Sequence, residues 1–347
     1  MLKSGDRIAL LTSGGDAPGM NAALRAAAKV GQALGFEMVG VEDGYVGLLE
    51  GRVRGLDVRA LDDAARRGGT SLGSARSKTF PTEDGQKRAR EVLAAHAVAG
   101  LVVIGGNGSL GGAHALADSG VAIAGLPASI DNDLACTSMA IGVDTAMNTI
   151  VEACDRISDT ASAHRRTFLL EVMGRDSGYL AMTTAIAAGA DAVLIRETEK
   201  DDAALVDQVV AAMQRAYGGK NGKRRVLVIK AEGVRYDTQR LKDAVDARMS
   251  ELFPDVDTRV TVLGHVVRGG APTAFDRLLG ARLANCAVRG LAEGRTDFMA
   301  GWGGPGSAAP CAHDPYVVFS PLDVVLRETE RLMTGASEVA KWRKRVF

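Results

Sequence analysis

Short apolar runs bounded by glycine alternate with longer segments of helical period along most of this chain, and that alternation limits the folds open to it. The runs cover residues 7–11, 100–104, 121–126, 167–173, 192–195 and 225–229, and read as buried parallel strands. Between them, 20–34, 83–95, 147–163, 202–216 and 238–252 carry helical periodicity. The expected class is therefore α/β, with doubly wound, mostly parallel Rossmann-like sheets covered by helices on both faces. At 347 residues the chain exceeds a single small core, so two domains with a cleft between them are expected. A second strand–helix series begins near Gly142 and a return crossing falls near 268–271. The expected domains are 1–142 plus about 267–318, and 143–266 plus about 319–347.

Charge excludes some partners. The 42 basic residues cancel the 42 acidic ones, so no global field exists to hold nucleic acid or an anionic membrane. No stretch reaches the roughly 18 apolar residues of a bilayer span, and residues 1–7 carry no leader-like run; a cytoplasmic protein is expected. Cys136, Cys154, Cys286 and Cys311 show no C-x-x-C spacing and read as reduced fillers. The segment 217–225 reads as a surface loop, and Lys341, Arg343, Lys344 and Arg345 as a solvated helix end.

In open parallel sheets ligands bind beyond the carboxyl ends of the strands. After the first run comes Thr12-Ser13-Gly14-Gly15-Asp16-Ala17-Pro18-Gly19-Met20-Asn21, a glycine turn opening a helix. Such a turn lets backbone N–H groups approach phosphate closely, although it lacks the Gly-Lys-Ser/Thr of a Walker A loop and also suits a tight turn with no ligand. A second loop, Gly105-Gly106-Asn107-Gly108-Ser109-Leu110-Gly111-Gly112, contains G-x-G-x-x-G, which admits a dinucleotide-binding enzyme. That reading wants an acidic residue closing the next strand, which here ends in Leu126-Pro127. The third loop, Ser129-Ile130-Asp131-Asn132-Asp133, sets two carboxylates two residues apart, as phosphoryl transfer uses them: one to accept a hydroxyl proton, one to help hold Mg²⁺. In isolation it is an ordinary acidic turn. Met173-Gly174-Arg175, Arg166, Glu232, Arg259, His265 and Arg268 lie in or near strand ends of the second half; arginine suits bidentate phosphate recognition, and each singly also reads as a surface or packing residue.

Together the segments TSGGDAPGMN, GGTSLGSAR, IGGNGS, GLPASIDND, EVMGR and VLGHVVRGG, in this order from Arg7 to at least Arg282, resemble the ATP-dependent 6-phosphofructokinase family. The resemblance implies transfer of the ATP γ-phosphoryl group to the 1-hydroxyl of fructose 6-phosphate, with Mg²⁺ as cofactor, and a homotetramer whose active sites are shared between subunits. It implies donor binding by Gly15, Arg76, Ser77, Gly106, Asn107, Gly108 and Ser109, and proton acceptance by Asp131. Arg175 and Gly15 would stabilise the transferring group. Ser129, Ile130, Asp131, Met173, Gly174, Arg175, Glu232, His265 and Arg268 would line the sugar-phosphate site, with Arg166 and Arg259 supplied across a subunit interface.

This sequence departs from the family pattern in two places. Asn107 stands where the family has a carboxylate associated with Mg²⁺, which leaves Asp133 and the donor phosphates to hold the metal. Arg25, Lys29 and residues 223–225 fit the family's regulatory phosphate pocket, but Val58, Ser158 and Asn221 replace basic residues there, which implies altered regulation. Two alternatives stay open: a pyrophosphate-dependent enzyme, disfavoured by Gly108 and Ala128 where those members carry Asp and Lys, and a catalytically silent sensor, supported by Asn107 alone.

Overall fold

The structure is a computed structural model and describes residues 1–198, 201–218, 223–304 and 310–345. Contacts divide the chain into two units, Met1–Thr145 with Arg268–Ser337, and Ala146–Val267 with Glu338–Phe347. The first begins with β1 (Arg7–Ser13), α1 (Met20–Ala33), β2 (Glu37–Val41), α2 (Gly44–Glu50), β3 (Val53–Gly55), α3 (Val58–Ala64), α4 (Glu83–Ala95), β4 (Val98–Gly105), α5 (Asn107–His114) and β5 (Ala122–Pro127). α6 (Val143–His164) carries the chain into the second, which holds β6 (Arg166–Val172), α7 (Tyr179–Ala187), β7 (Ala192–Leu194), α8 (Asp202–Tyr217), β8 (Val226–Ala231), α9 (Thr238–Met249) and β9 (Asp257–Val262). The first resumes with α10 (Ala274–Ala292), β10 (Phe298–Trp302), β11 (Pro310–Cys311), β12 (Asp314–Pro321) and α11 (Leu322–Met333); α12 (Glu338–Arg345) ends the second.

The first unit is built on the sheet β11-β12-β10-β5-β4-β1-β2-β3. Its centre, from β10 to β2, is parallel, and β12 and β3 join it antiparallel. Ile8, Ala9, Leu10 and Leu11 of β1 are all fully buried, as a strand covered on both faces requires. Each large side chain in such a core contributes roughly 1.5–3 kcal/mol. The second unit has a wholly parallel sheet, β7-β8-β6-β9.

Residues 319–337 differ from expectation, since contacts group them with the first unit. β10 offers an edge that β12 completes, from Phe298↔Pro321 to Trp302↔Val317, and α11 packs on α5. The expected solvated end holds for Lys341 and Arg345, which are exposed, but not for Arg343 of α12: it is buried, with its guanidinium 4.8 Å from the Tyr179 ring centroid, where cation–π attraction offsets its desolvation. Of the expected loop 217–225, Tyr217 closes α8, and residues 219–222, Asn221 among them, lie outside the described residues, as does the Lys344 side chain.

Within the first unit α10 fixes the end of the loop that follows β5. The buried Asp276 carboxylate accepts hydrogen bonds from Gly142 N (2.8 Å), Thr145 N (2.7 Å) and Thr145 Oγ1 (2.6 Å), while burial pushes its pKa up. No helix among the described residues is long and apolar enough to cross a membrane.

Candidate active site

Three of the loops singled out in the sequence leave neighbouring strands of the first unit's sheet. Ser13 at the end of β1 pairs with Gly105 of β4, and Gly105 pairs with Pro127 of β5. Adjacent strands lie about 4.8 Å apart, so the turn 14–19, the start of α5 and the segment 128–133 emerge side by side at the carboxyl edge. Gly15, Gly106, Asn107, Gly108, Ser109, Ser129, Ile130, Asp131 and Asp133 are gathered in this way. The approach is close: Gly14 has φ 87°, and a methyl group on it would stand 3.1 Å from Ser109 Oγ.

A fourth segment is strapped to the same edge. Thr12 Oγ1 donates to Gly73 O (2.8 Å), Ser74 Oγ donates to Gly14 O (2.6 Å), and Asn21 takes Ser71 N (2.7 Å) while donating to Arg67 O and Gly68 O (3.2 Å each). Segment 67–74 thus delivers Arg76, which is exposed, and Ser77, whose Oγ accepts Phe80 N at 3.0 Å. Tyr45 supports the second loop from within: its hydroxyl donates to Ser109 O at 2.7 Å, and full burial pushes its pKa up. Asn21, Ser74 and Tyr45 were missed by the sequence reading. Asn21 gave a usable signal, a polar residue on the apolar face of a helix, which must find partners when buried.

The acidic loop is folded by its own side chains. Asp131 N donates to Ser129 Oγ (3.3 Å), and Ser129 Oγ donates to Asp133 Oδ1 (3.0 Å). Asn132, at φ 44°, accepts Ala140 N (3.0 Å) on Oδ1 and donates from Nδ2 to Ser138 O (3.2 Å). Asp131 is thereby held on fixed backbone and is almost wholly buried. Among the described residues no three His, Cys, Asp or Glu side chains group into a metal cage. The Asp133 carboxylate and Asn107 amide are hard oxygen donors, which suits Mg²⁺ bound by few protein ligands beside substrate phosphates.

The second unit holds its candidates in two separate places. At the carboxyl ends of β6 and β8, Glu232 Oε1 accepts Gly174 N (3.1 Å) and Arg175 N (2.7 Å), and so shapes the turn after β6. Gly174 has φ 147° and Arg175 φ 49°. Met173 is buried beside them, Arg175 is exposed, and exposed His265 follows β9. Arg166 and Arg259 lie toward the other end of the sheet, sharing the Asp257 carboxylate at 3.3 and 2.6 Å. The seven-residue β6 runs from Arg166 to the residue before Met173, roughly 20 Å of strand, so one copy of the sheet does not bring these arginines to Arg175 and Glu232.

Arg268 belongs to the first unit, where its Nη1 donates to Asp16 O at 3.3 Å. Four of the regulatory candidates, Arg25, Lys29, Lys223 and Arg224, are engaged in ion pairs or hydrogen bonds, whereas Arg225 Nη1 is buried with no hydrogen-bond partner among the described residues. Arg25 Nε and Lys29 Nζ both bind Asp62, whose carboxyl they hold below its ordinary pKa, Lys29 most strongly. Lys223 binds Asp191 (2.5 Å), and Arg224 donates to Ser162 O (3.0 Å).

Glycine turns, an acidic loop and arginines at the carboxyl ends of doubly wound parallel sheets define an α/β enzyme class that handles phosphate esters. The chain belongs to the phosphofructokinase family, since the Phosphofructokinase family model matches residues 7–291. It is 46% identical over 295 residues to the ATP-dependent 6-phosphofructokinase of Brevibacillus brevis, covering 85% of this chain and 89% of that one. It is 45% identical over the same length and shares to a protein of that name from Listeria monocytogenes. The phosphofructokinase structure from Saccharomyces cerevisiae superposes with TM-score 0.84 at 32% identity, over 97% of this chain; this chain spans 48% of that one. A pyrophosphate-dependent phosphofructokinase from Marinobacter aquaeolei shares the fold, with TM-score 0.77 at 19% identity over 92% of this chain and 83% of that one.

Proposed function

We propose that this chain is an ATP-dependent 6-phosphofructokinase that forms fructose 1,6-bisphosphate from fructose 6-phosphate. The observation that carries this reading is the meeting of the 14–19, 106–109 and 128–133 loops at one sheet edge, with Asp131 fixed among them. Relatives at 45–46% identity that bear this activity's name support it.

Asp131 takes the proton of the sugar 1-hydroxyl as that oxygen bonds to the γ-phosphorus and the bridging bond to ADP breaks. Backbone N–H groups at Gly15 and at the start of α5 (Gly106 to Ser109), together with Arg76 and Ser77, hold the donor phosphates. Arg175 adds charge stabilisation of the transferring group. Ser129, Ile130, Met173, Gly174, Glu232 and His265 hold the sugar phosphate. Arg166 and Arg259, remote from these along β6 and β9, serve the site of a second copy of the chain, which is why we infer a homotetramer with shared sites. Asp133 and Asn107 would hold Mg²⁺, which when bound neutralises the donor phosphates.

ATP is favoured over pyrophosphate because a methyl group on Gly108 would meet nothing within 4 Å; the space beside the α5 N-terminus is open to a nucleotide's α-phosphate. Ala128 offers no extra cation for pyrophosphate. Initial rates with each donor across a Mg²⁺ titration test this. ATP should be the preferred donor, and Asn107→Asp should lower the Mg²⁺ requirement. Preference for pyrophosphate would overturn the donor, and absence of turnover with either would favour a silent sensor.

A further inference from the structure

Behind the acidic loop 129–133 runs a return leg, residues 134–140, that carries none of the side chains given a part in the proposed reaction. Asn132 (φ 44°) and Cys136 (φ 58°) occupy the left-handed region without being glycine. Such conformations persist only where the surroundings hold them. Three ties among the described residues do so. Asn132 reaches the leg at Ser138 O and Ala140 N. Ala135 N donates to Oγ1 of Thr329, a fully buried residue of α11, at 3.0 Å. The third is Thr137, whose Oγ1 accepts Trp302 N (3.0 Å) at the end of β10 and donates to Met139 O (2.8 Å).

The anchor at Trp302 is itself well held. Its carbonyl accepts Ser138 N (2.8 Å) and Ser138 Oγ (3.0 Å), so both backbone groups of this residue engage the leg. Its ring stacks on Tyr316 with centroids 5.4 Å apart, and the Arg282 guanidinium lies 4.6 Å from the ring centroid. Gly301 lets strand and leg close up: a methyl group there would stand 2.5 Å from Cys136 O and 3.4 Å from Thr137 Cβ. β10 also pairs with β5, from whose end the acidic loop springs. We propose that Thr137 is a positioning residue for Asp131. By bridging β10 to residue 139 it keeps Ser138 O and Ala140 N where Asn132 can fix the acidic loop, and so keeps the Asp131 carboxylate within proton-transfer reach of the sugar hydroxyl. The inference rests on the role given to Asp131 above.

Hydrogen exchange and steady-state kinetics test it on the wild type, Thr137→Val, Thr137→Ser and the Thr137→Val/Asp131→Asn double variant. Thr137→Val keeps the shape and deletes both hydrogen bonds. Amides of residues 131–140 should then exchange about tenfold faster, with those of β1 and β4 unchanged. A misplacement of about 1 Å at a reacting group costs on the order of 10²-fold, so losing one tie of several should lower kcat by about tenfold. KM for ATP and for fructose 6-phosphate should stay within about twofold of wild type. Thr137→Ser retains the hydroxyl and should return both readings to within about twofold of wild type. In the Asp131→Asn background, Thr137→Val should cost no further turnover, because its effect runs through Asp131. Should Thr137→Val fail to fold, Thr137→Ala, which leaves room for water at Trp302 N, carries the same readings in the same directions. Unchanged exchange would refute the tie, faster exchange with unchanged kcat would reduce Thr137 to a structural staple, and additive loss in the double variant would place its action elsewhere; each overturns the proposal. If the wild type turns over with neither donor, the kinase reading fails by itself, and the exchange data still decide whether Thr137 holds the acidic loop.

Discussion

Asp131 owes its position to the side chains on either side of it. Ser129 bridges Asp133 and the Asp131 amide, and Asn132 clips the chain back to residues 138–140. Asp131→Asn keeps that framework and removes only the proposed proton acceptor. Turnover should fall on the order of 10²-fold or more while binding of both substrates persists. Near-wild-type turnover, measured beside equilibrium binding of fructose 6-phosphate, would remove Asp131 from this role. What the sequence exposed at this scale were residues in unusual local patterns, such as paired acids and clustered glycines. It hid Ser74 and Tyr45, because their partners, Gly14 O and Ser109 O, are 60 and 64 residues away. It also hid the setting of Arg268, whose Asp16 partner is 252 residues away.

At the scale of elements, burial explains only part of what was legible. β1, β4, β5, β6 and β8 are central strands and read as continuous apolar runs, whereas β2 and β10, also buried and inside the sheet, escaped because glycine interrupts their short runs. α4 over Glu83–Ala95 was legible to the residue because its first turn carries Glu83 and Asp84 behind a Thr82 cap. β9 was not read as a strand: it is an edge strand whose sequence, Asp257–Val262, is largely polar and partly exposed. α7 is apolar on nearly every side and α10 is buried along much of its length, so neither shows the one-sided stripe by which helices are recognised. The hairpin of β11 and β12 depends on a tie that no local pattern announces. Arg282 of α10 grips Asp314 with two bonds of 2.6 Å and stacks on Trp302 and Tyr316. Arg282 holds the Asp314 carboxyl below its ordinary pKa of 3.8. A depressed folded-state value means the tie's stabilisation is present above about 3.8 and is lost as pH falls through the folded pKa. Asp314→Asn should therefore be less stable than wild type at pH 6, with the gap narrowing as pH falls below about 4. Melting temperatures of both proteins from pH 6 to 3 check this; a gap independent of pH would mean the pair is not the source.

For the whole molecule, the proposal that Arg166 and Arg259 serve the site of a second copy makes assembly a requirement for activity, and it can be tested. Mixing inactive Arg166→Ala and Asp131→Asn proteins, after conditions that exchange subunits, should restore some turnover, because certain hybrid sites would carry both intact residues. No recovery despite hybrids seen by native mass spectrometry would place Arg166 in its own copy's site or outside it. The division of the chain also bears on its synthesis. β10 pairs with β5 through Phe298↔Ala124, so the first unit's sheet waits for residues made long after β5 has left the ribosome. The second unit's four strands all lie between Arg166 and Val262 and are complete before β10 exists. During translation the inserted unit can close first, while the half-built sheet of the first unit exposes the β5 edge to solvent and to chaperones. A nascent chain stalled just after Val262 should therefore protect β6 and β8 from protease while leaving β5 open to it.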